Sequence, residues 1–164
     1  MSAGAHMACI LGVSSDHAQL NGELGEHLEE STEVMGVLAL YPPTDFLSVR
    51  KDFDGLLDYY AEDSPVTQLL GESITSAPEK SNLASLLRRY TGACPPTLFL
   101  HGEADPIVPV EQSVILHETL LAAGVDSDLM RLAGYTHGDH RFNRGAPAER
   151  INAYLKNAPP LNHN

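Results

Sequence analysis

Thr97-Leu98-Phe99-Leu100-His101-Gly102, followed by Val110 to Ala123 and then Asp128 to Leu132, is the stretch whose reading decides the fold. The first part is a short apolar run introduced by Pro95-Pro96 and closed by Gly102. Such a run reads as a strand covered on both faces. Val110 to Ala123 places Val114, Leu116, Leu120 and Leu121 among its apolar positions and is followed by Gly124, the usual residue just past a helix end. Asp128 to Leu132, ending at Gly134, reads as a weaker strand. Strand, helix, strand is a βαβ unit, and such units build parallel sheets.

The reading extends outward in both directions. Val34-Met35-Gly36-Val37-Leu38-Ala39-Leu40-Tyr41, stopped by Pro42-Pro43, is a further buried strand. Ala3 to Val13 is small and apolar behind Ser2, as in a buried helix that starts at Ser2 or Ala3. Gly12, Ser14, Ser15 and Asp16 mark its end, and the polar segment to Glu30 reads as loop with a short helix. Pro147 to Lys156 is the last expected helix, with proline in its first turn and Ile151, Tyr154 and Leu155 on one face. Residues 44–92 are too long for a bare loop, and they carry helical patterns near Gly55–Tyr60, Pro65–Leu70 and Leu83–Tyr90. An insertion of that kind commonly covers a site. The expectation is an α/β fold with a predominantly parallel sheet of about three strands and flanking helices, residues 1–164 forming one domain or a large piece of one.

Composition narrows the classes of function. The 164 residues are 43% hydrophobic, enough for a sizeable core, and carry a formal charge of -12 with acidic residues scattered throughout. That balance argues against a nucleic-acid or anionic-membrane partner. No apolar run reaches the length of a membrane span, and residues 1–13 lack the basic start of a signal peptide, so localisation is left open. Cys9 and Cys94 are too few for a disulfide framework and read as buried free thiols.

Three short pieces carry chemistry. Ser2-Ala3-Gly4 entering a small-residue helix matches the second half of a G-x-S-x-G nucleophile elbow, where small neighbours permit a strained serine and close packing of helix on strand. A serine at a helix start is equally an ordinary N-cap. His101-Gly102-Glu103-Ala104-Asp105-Pro106 puts Asp105 in a loop at the carboxyl end of the sheet, where it could orient a histidine. The alternative role of Asp105 is a loop carboxylate or the cap of the next helix. Gly134-Tyr135-Thr136-His137-Gly138-Asp139-His140 follows the next strand, and His137 there could serve as general base and then general acid. His140 competes with it, and His140 with Asp139 could suggest a metal, although no further ligand stands at a recognisable spacing. Asp45 is the runner-up acid, because it too follows a strand. The order Ser2, Asp105, His137 is that of α/β-hydrolases.

With those pieces in hand, the sequence resembles the esterase and lipase branch of the α/β-hydrolase superfamily, near its feruloyl and acetyl-xylan esterase-like group. The matching segments are Ser2-Ala-Gly-Ala-His-Met-Ala8, Tyr41-Pro-Pro-Thr-Asp-Phe46, Ser64-Pro-Val-Thr-Gln-Leu-Leu-Gly71, the run from His101 to Pro109, and His137-Gly138. The resemblance implies a partial α/β-hydrolase fold and hydrolysis of a small-molecule carboxylic ester through an acyl-enzyme, without a cofactor. Ser2 takes the place of the nucleophile, Asp105 of the acid and His137 of the base, and the Ala3 amide that of one oxyanion donor.

The pattern also departs from the family. Its elbow has a glycine two positions before the serine and a strand before that, whereas only Met1 precedes Ser2. The earlier strands and the His-Gly-Gly type loop with the second oxyanion donor have no counterpart here, which would leave Val34–Tyr41 as an unpaired apolar edge. Three readings follow: Met1 as an internal codon of a longer esterase; a working hydrolase whose edge is covered by a homo-oligomer or partner; or a non-catalytic module that binds or assembles through its sheet. The alternative chemistries are a peptidase of the prolyl oligopeptidase kind and a formamidase-type amide hydrolase.

Overall fold

The computed structural model describes residues 1–13, 20, 24–49, 53–88 and 94–157. Strands β1 (Val37–Leu40), β2 (Thr97–Gly102) and β3 (Ser127–Leu132) form the expected parallel sheet in that order, with Leu40 beside Leu100 and Leu100 beside Met130. Five helices accompany it among the described residues: α1 (Ala3–Val13), α2 (Pro65–Leu70), α3 (Pro78–Ala84), α4 (Glu111–Ala122) and α5 (Gly145–Asn157).

Every residue of β2 is buried, as a continuous apolar run implies, because helices cover both faces. On one face Ala5, Cys9 and Val13 of α1 and Leu116 and Leu120 of α4 close over Val37, Ala39 and Phe99. On the other, Leu40, Leu98, Leu100 and Leu132 pack with Phe142 and with Ile151 and Tyr154 of α5. Each such buried aliphatic side chain contributes about 1.5–3 kcal/mol. Gly12 allows α1 to settle on β1, since a Cβ there would lie 2.6 Å from the Val37 side chain. Gly124 ends α4 at φ 81°, a left-handed conformation that its lack of a Cβ permits.

The two sheet edges differ in character. On β3, Arg131 pairs with Glu103 and Asp128 with Arg150, charges that blunt an edge. On β1 the sequence Val-Leu-Ala-Leu carries no charge, and the Ser2 amide bonds the outermost carbonyl, that of Leu40, at 2.9 Å.

The segment between β1 and β2 has an apolar cluster of its own, built from Phe46, Val49, Tyr59, Val66, Leu70 and Ile74. Gln112 at the start of α4 joins this segment to the sheet. Its Oε1 accepts from the amides of Thr44 and Asp45 at 2.9 and 2.8 Å, and its Nε2 donates to Ser48 Oγ at 3.0 Å. Tyr59 adds a bond from its hydroxyl to the Ile107 carbonyl at 3.0 Å.

Several expected boundaries move. The strand expected over Val34–Tyr41 is confined to Val37–Leu40. Gly55–Tyr60 is turn and bend rather than helix: Leu57, Tyr59 and Tyr60 pack into the insertion's apolar cluster, and the Leu56 amide and Tyr59 hydroxyl bond the loop after β2 instead of continuing a helix. The helix expected at Leu83–Tyr90 is displaced: α3 begins at Pro78, ends at Ala84 and is followed by a 3-10 turn over Leu86–Arg88. Proline in the first helical turn fixed that earlier start. Residues 89 and 90, and most of the loop expected between Ser14 and Glu30, lie outside the described residues. Leu155, expected on the packed face of α5, is 58% exposed.

Candidate active site

Ser2 sits between sheet and helix. Its amide belongs to the edge of β1, while its carbonyl accepts from the amides of Ala5 and His6 at 2.9 and 3.0 Å and so already belongs to α1. Changing direction within one residue forces φ to 50°. For a residue with a Cβ, such a conformation costs about 1–3 kcal/mol. The N-cap alternative would turn the hydroxyl to the first-turn amides, but Oγ instead lies 2.9 Å from His137 Nε2. Ala3 opens α1, so its amide has no carbonyl four residues back and remains a free donor beside Ser2. Gly4 departs from expectation: a Cβ there would meet nothing within 4 Å among the described residues, and the close helix-to-strand approach falls at Gly12 instead.

Asp105 is held at both oxygens. Oδ1 accepts from the amides of Ile107 and Val108 at 2.8 and 2.9 Å, and Oδ2 faces His137 Nδ1 at 2.7 Å. His101 Nε2 lies 3.5 Å from the same Oδ2. Burial pushes this carboxyl up, but the bonds from His101, His137 and the Val108 and Ile107 amides outweigh it, holding the group well below the usual carboxylate range.

His137 lies on the loop after β3, between Gly134 and Gly138, both at positive φ. Gly102 brings this loop close, because any Cβ there would collide with the backbone of Tyr135. The ring is flanked edge-on by Tyr41, with centroids 4.6 Å apart, and Tyr41 in turn packs on Phe142. Since the Asp105 carboxylate can only accept, His137 Nδ1 carries the proton and Nε2 is left to accept from the Ser2 hydroxyl. The structure thus brings Ser2, His137 and Asp105 into one line of hydrogen bonds at the carboxyl end of the sheet.

The competitors lie elsewhere. Asp45 turns Oδ1 onto the Leu47 amide at 3.1 Å, closing its own loop. His140 points outward with its side chain 77% exposed, and Asp139 instead grips Arg141 Nε at 2.9 Å and Nη2 at 2.6 Å. Among the described residues no group of three His, Cys, Asp or Glu could hold a metal.

Three contributors escaped the sequence reading: Gln112, Tyr41 and His101. Both Gln112 and His101 are buried, Gln112 bonding Thr44 across sixty-eight positions and His101 bonding Val108 and Ser113 through side-chain geometry that no local pattern announces. Tyr41 shows its role by a φ of 42°, a second strained residue beside the site. A cavity of about 430 Å³ opens between Ser48, Val49 and Phe53 of the insertion and Asp105, Pro109 and Val110.

Comparison with known proteins places this sequence in a family. Residues 1–120 match the model of the BD-FAE family. The chain is 29% identical over 140 residues to Esterase LipC of Mycobacterium tuberculosis (strain ATCC 25618 / H37Rv), covering 84% of this chain and 33% of that protein. Among solved structures, a truncated form of a carbohydrate esterase from gut microbiota superposes with a TM-score of 0.79 at 23% identity, over 95% of this chain and 57% of that one. A thermophilic esterase from the Planctomycetes species Thermogutta terrifontis, with propionate bound, gives 0.64 at 21% identity, over 98% and 56%. The fold is that of the α/β-hydrolases, and the chain spans a third of the length of its curated relative and just over half of these structures. With more than half of its length matched by the family model, this chain belongs to the BD-FAE family.

Proposed function

We propose that this protein is a carboxylic ester hydrolase working through an acyl-enzyme on small-molecule esters. The observation that carries the reading is the run of hydrogen bonds from Ser2 Oγ to His137 Nε2 and from His137 Nδ1 to Asp105 Oδ2. Ser2 Oγ attacks the ester carbonyl as His137 Nε2 takes its proton. The negative oxygen that develops faces the Ala3 amide. His137 then gives the proton to the departing alkoxide, and water repeats the sequence to free the acid. Asp105 keeps the imidazole in the required tautomer and stabilises its cation.

In the same reading, residues 1–164 are part of one α/β-hydrolase domain, with the insertion at about 44–92 covering the site. A second oxyanion donor would be supplied by the rest of a longer protein or by a second chain along β1, as the greater length of the relatives suggests. The test is labelling by a fluorophosphonate probe together with turnover of p-nitrophenyl acetate. Labelling at Ser2, lost with turnover in Ser2→Ala, is the expected result. A wild-type protein that neither labels nor turns over would instead favour a binding or assembly module.

A further inference from the structure

His101 is wholly buried at the end of β2, and the mechanism above makes no use of it. Its two ring nitrogens are both engaged. Nε2 lies 3.0 Å from the Val108 carbonyl, which can only accept, so this nitrogen carries the proton. Nδ1 is then the acceptor and takes the Ser113 hydroxyl of α4 at 2.7 Å. The ring is thereby fixed in tautomer and orientation, with Nε2 also lying 3.5 Å from Asp105 Oδ2. That oxygen is the one that receives His137. The Val108 whose carbonyl takes the His101 proton also donates its amide to Asp105 Oδ1, so one side chain spans β2, α4 and the acid loop.

We propose that His101 is a positioning residue for the Asp105–His137 pair, its Nε2–H holding the Asp105 loop through Val108 and sharing the charge on Oδ2. The inference rests on the reading of Asp105 and His137 as acid and base. A donor that shares the carboxylate charge leaves less of it to stabilise the His137 cation, so His101 tempers the basicity of His137. The other titratable groups facing Asp105 are Tyr41 at the end of β1 and Tyr59 from the insertion. Burial, and then the Asp105 charge itself, push both hydroxyls up, so they stay neutral at pH 7.

The test compares His101→Met with His101→Gln, side chains of similar length of which only glutamine keeps a donor at the position of Nε2. The readout is the titration of His137 followed by its imidazole NMR signals, which needs no turnover. Methionine is expected to move the His137 imidazole titration to higher pH than in wild type, and glutamine to return most of that difference. Equal His137 titration in wild type and His101→Met, with stability lowered in both variants, would overturn the proposal. If the variants do not fold, the imidazole nitrogen shifts of wild-type His101 decide, since an unprotonated Nε2 excludes the assigned role. Fluorophosphonate labelling of the wild type keeps the two questions apart: its absence sinks the ester-hydrolase reading, while the His137 titration alone judges His101.

Discussion

The backbone amide of Ser2 is bonded to the carbonyl of Leu40, so the proposed nucleophile is anchored to the last residue of β1 by its main chain while its side chain reaches His137. This double attachment explains why a serine is held at φ 50°. The strain opposes folding and is retained where it aims Oγ.

Ser2→Gly should therefore stabilise the protein while abolishing its chemistry. Glycine tolerates positive φ, which relieves about 1 kcal/mol, or about 2–4 °C in Tm for a chain of this size. Calorimetry on the glycine and alanine variants checks it: alanine keeps the strain and should melt below glycine, and both should fail to label.

Asp105→Asn should cost stability in a pH-dependent way. A carboxyl whose folded pKa is depressed contributes stability that is fully present above its unfolded pKa of about 3.9 and is lost as pH falls through the folded value. Charge-assisted hydrogen bonds of this kind are worth about 1.5–3 kcal/mol. Urea unfolding should show that deficit at pH 7, and the gap between wild type and variant should narrow steadily below about pH 4. A gap independent of pH would mean that the Asp105 charge is not what its loop bonds stabilise.

Gly102→Ala should lower both stability and the reactivity of Ser2. The added methyl meets the Tyr135 backbone and pushes the His137 loop outward, disturbing its alignment with Ser2. Overpacking of this sort costs about 1–3 kcal/mol, and a displacement of about 1 Å in a reacting group can cost on the order of a hundredfold in rate. Labelling by the fluorophosphonate probe should slow by that order in protein that remains folded by circular dichroism.

What the sequence determined by itself was local. Apolar runs closed by Pro42-Pro43, Gly102 and Gly134 mark three parallel strands, because backbone groups buried on both sides demand apolar neighbours and a turn residue to end them. The same punctuation puts Asp105 and His137 near the carboxyl edge, because loops after parallel strands all emerge at one end, whereas Ser2, with only Met1 before it, was read from its match to a nucleophile elbow. Within the insertion the pattern misled: Leu57, Tyr59 and Tyr60 pack into a cluster with Phe46 and Val49, and the Leu56 amide and Tyr59 hydroxyl bond the carbonyls of Pro106 and Ile107, so the stretch forms no helix of its own. Only the tertiary structure decided which carboxylate meets which imidazole, with Asp105 on His137 and Asp45 folded onto Leu47. It alone revealed the left-handed turn at Ser2, the clamp of Gln112 on Thr44 sixty-eight positions away, and His101 behind the acid. Contacts such as Gln112 on Thr44 or Ser2 on His137 leave no period in the chain, because they are set by how the layers pack and not by the rise of any one helix or strand.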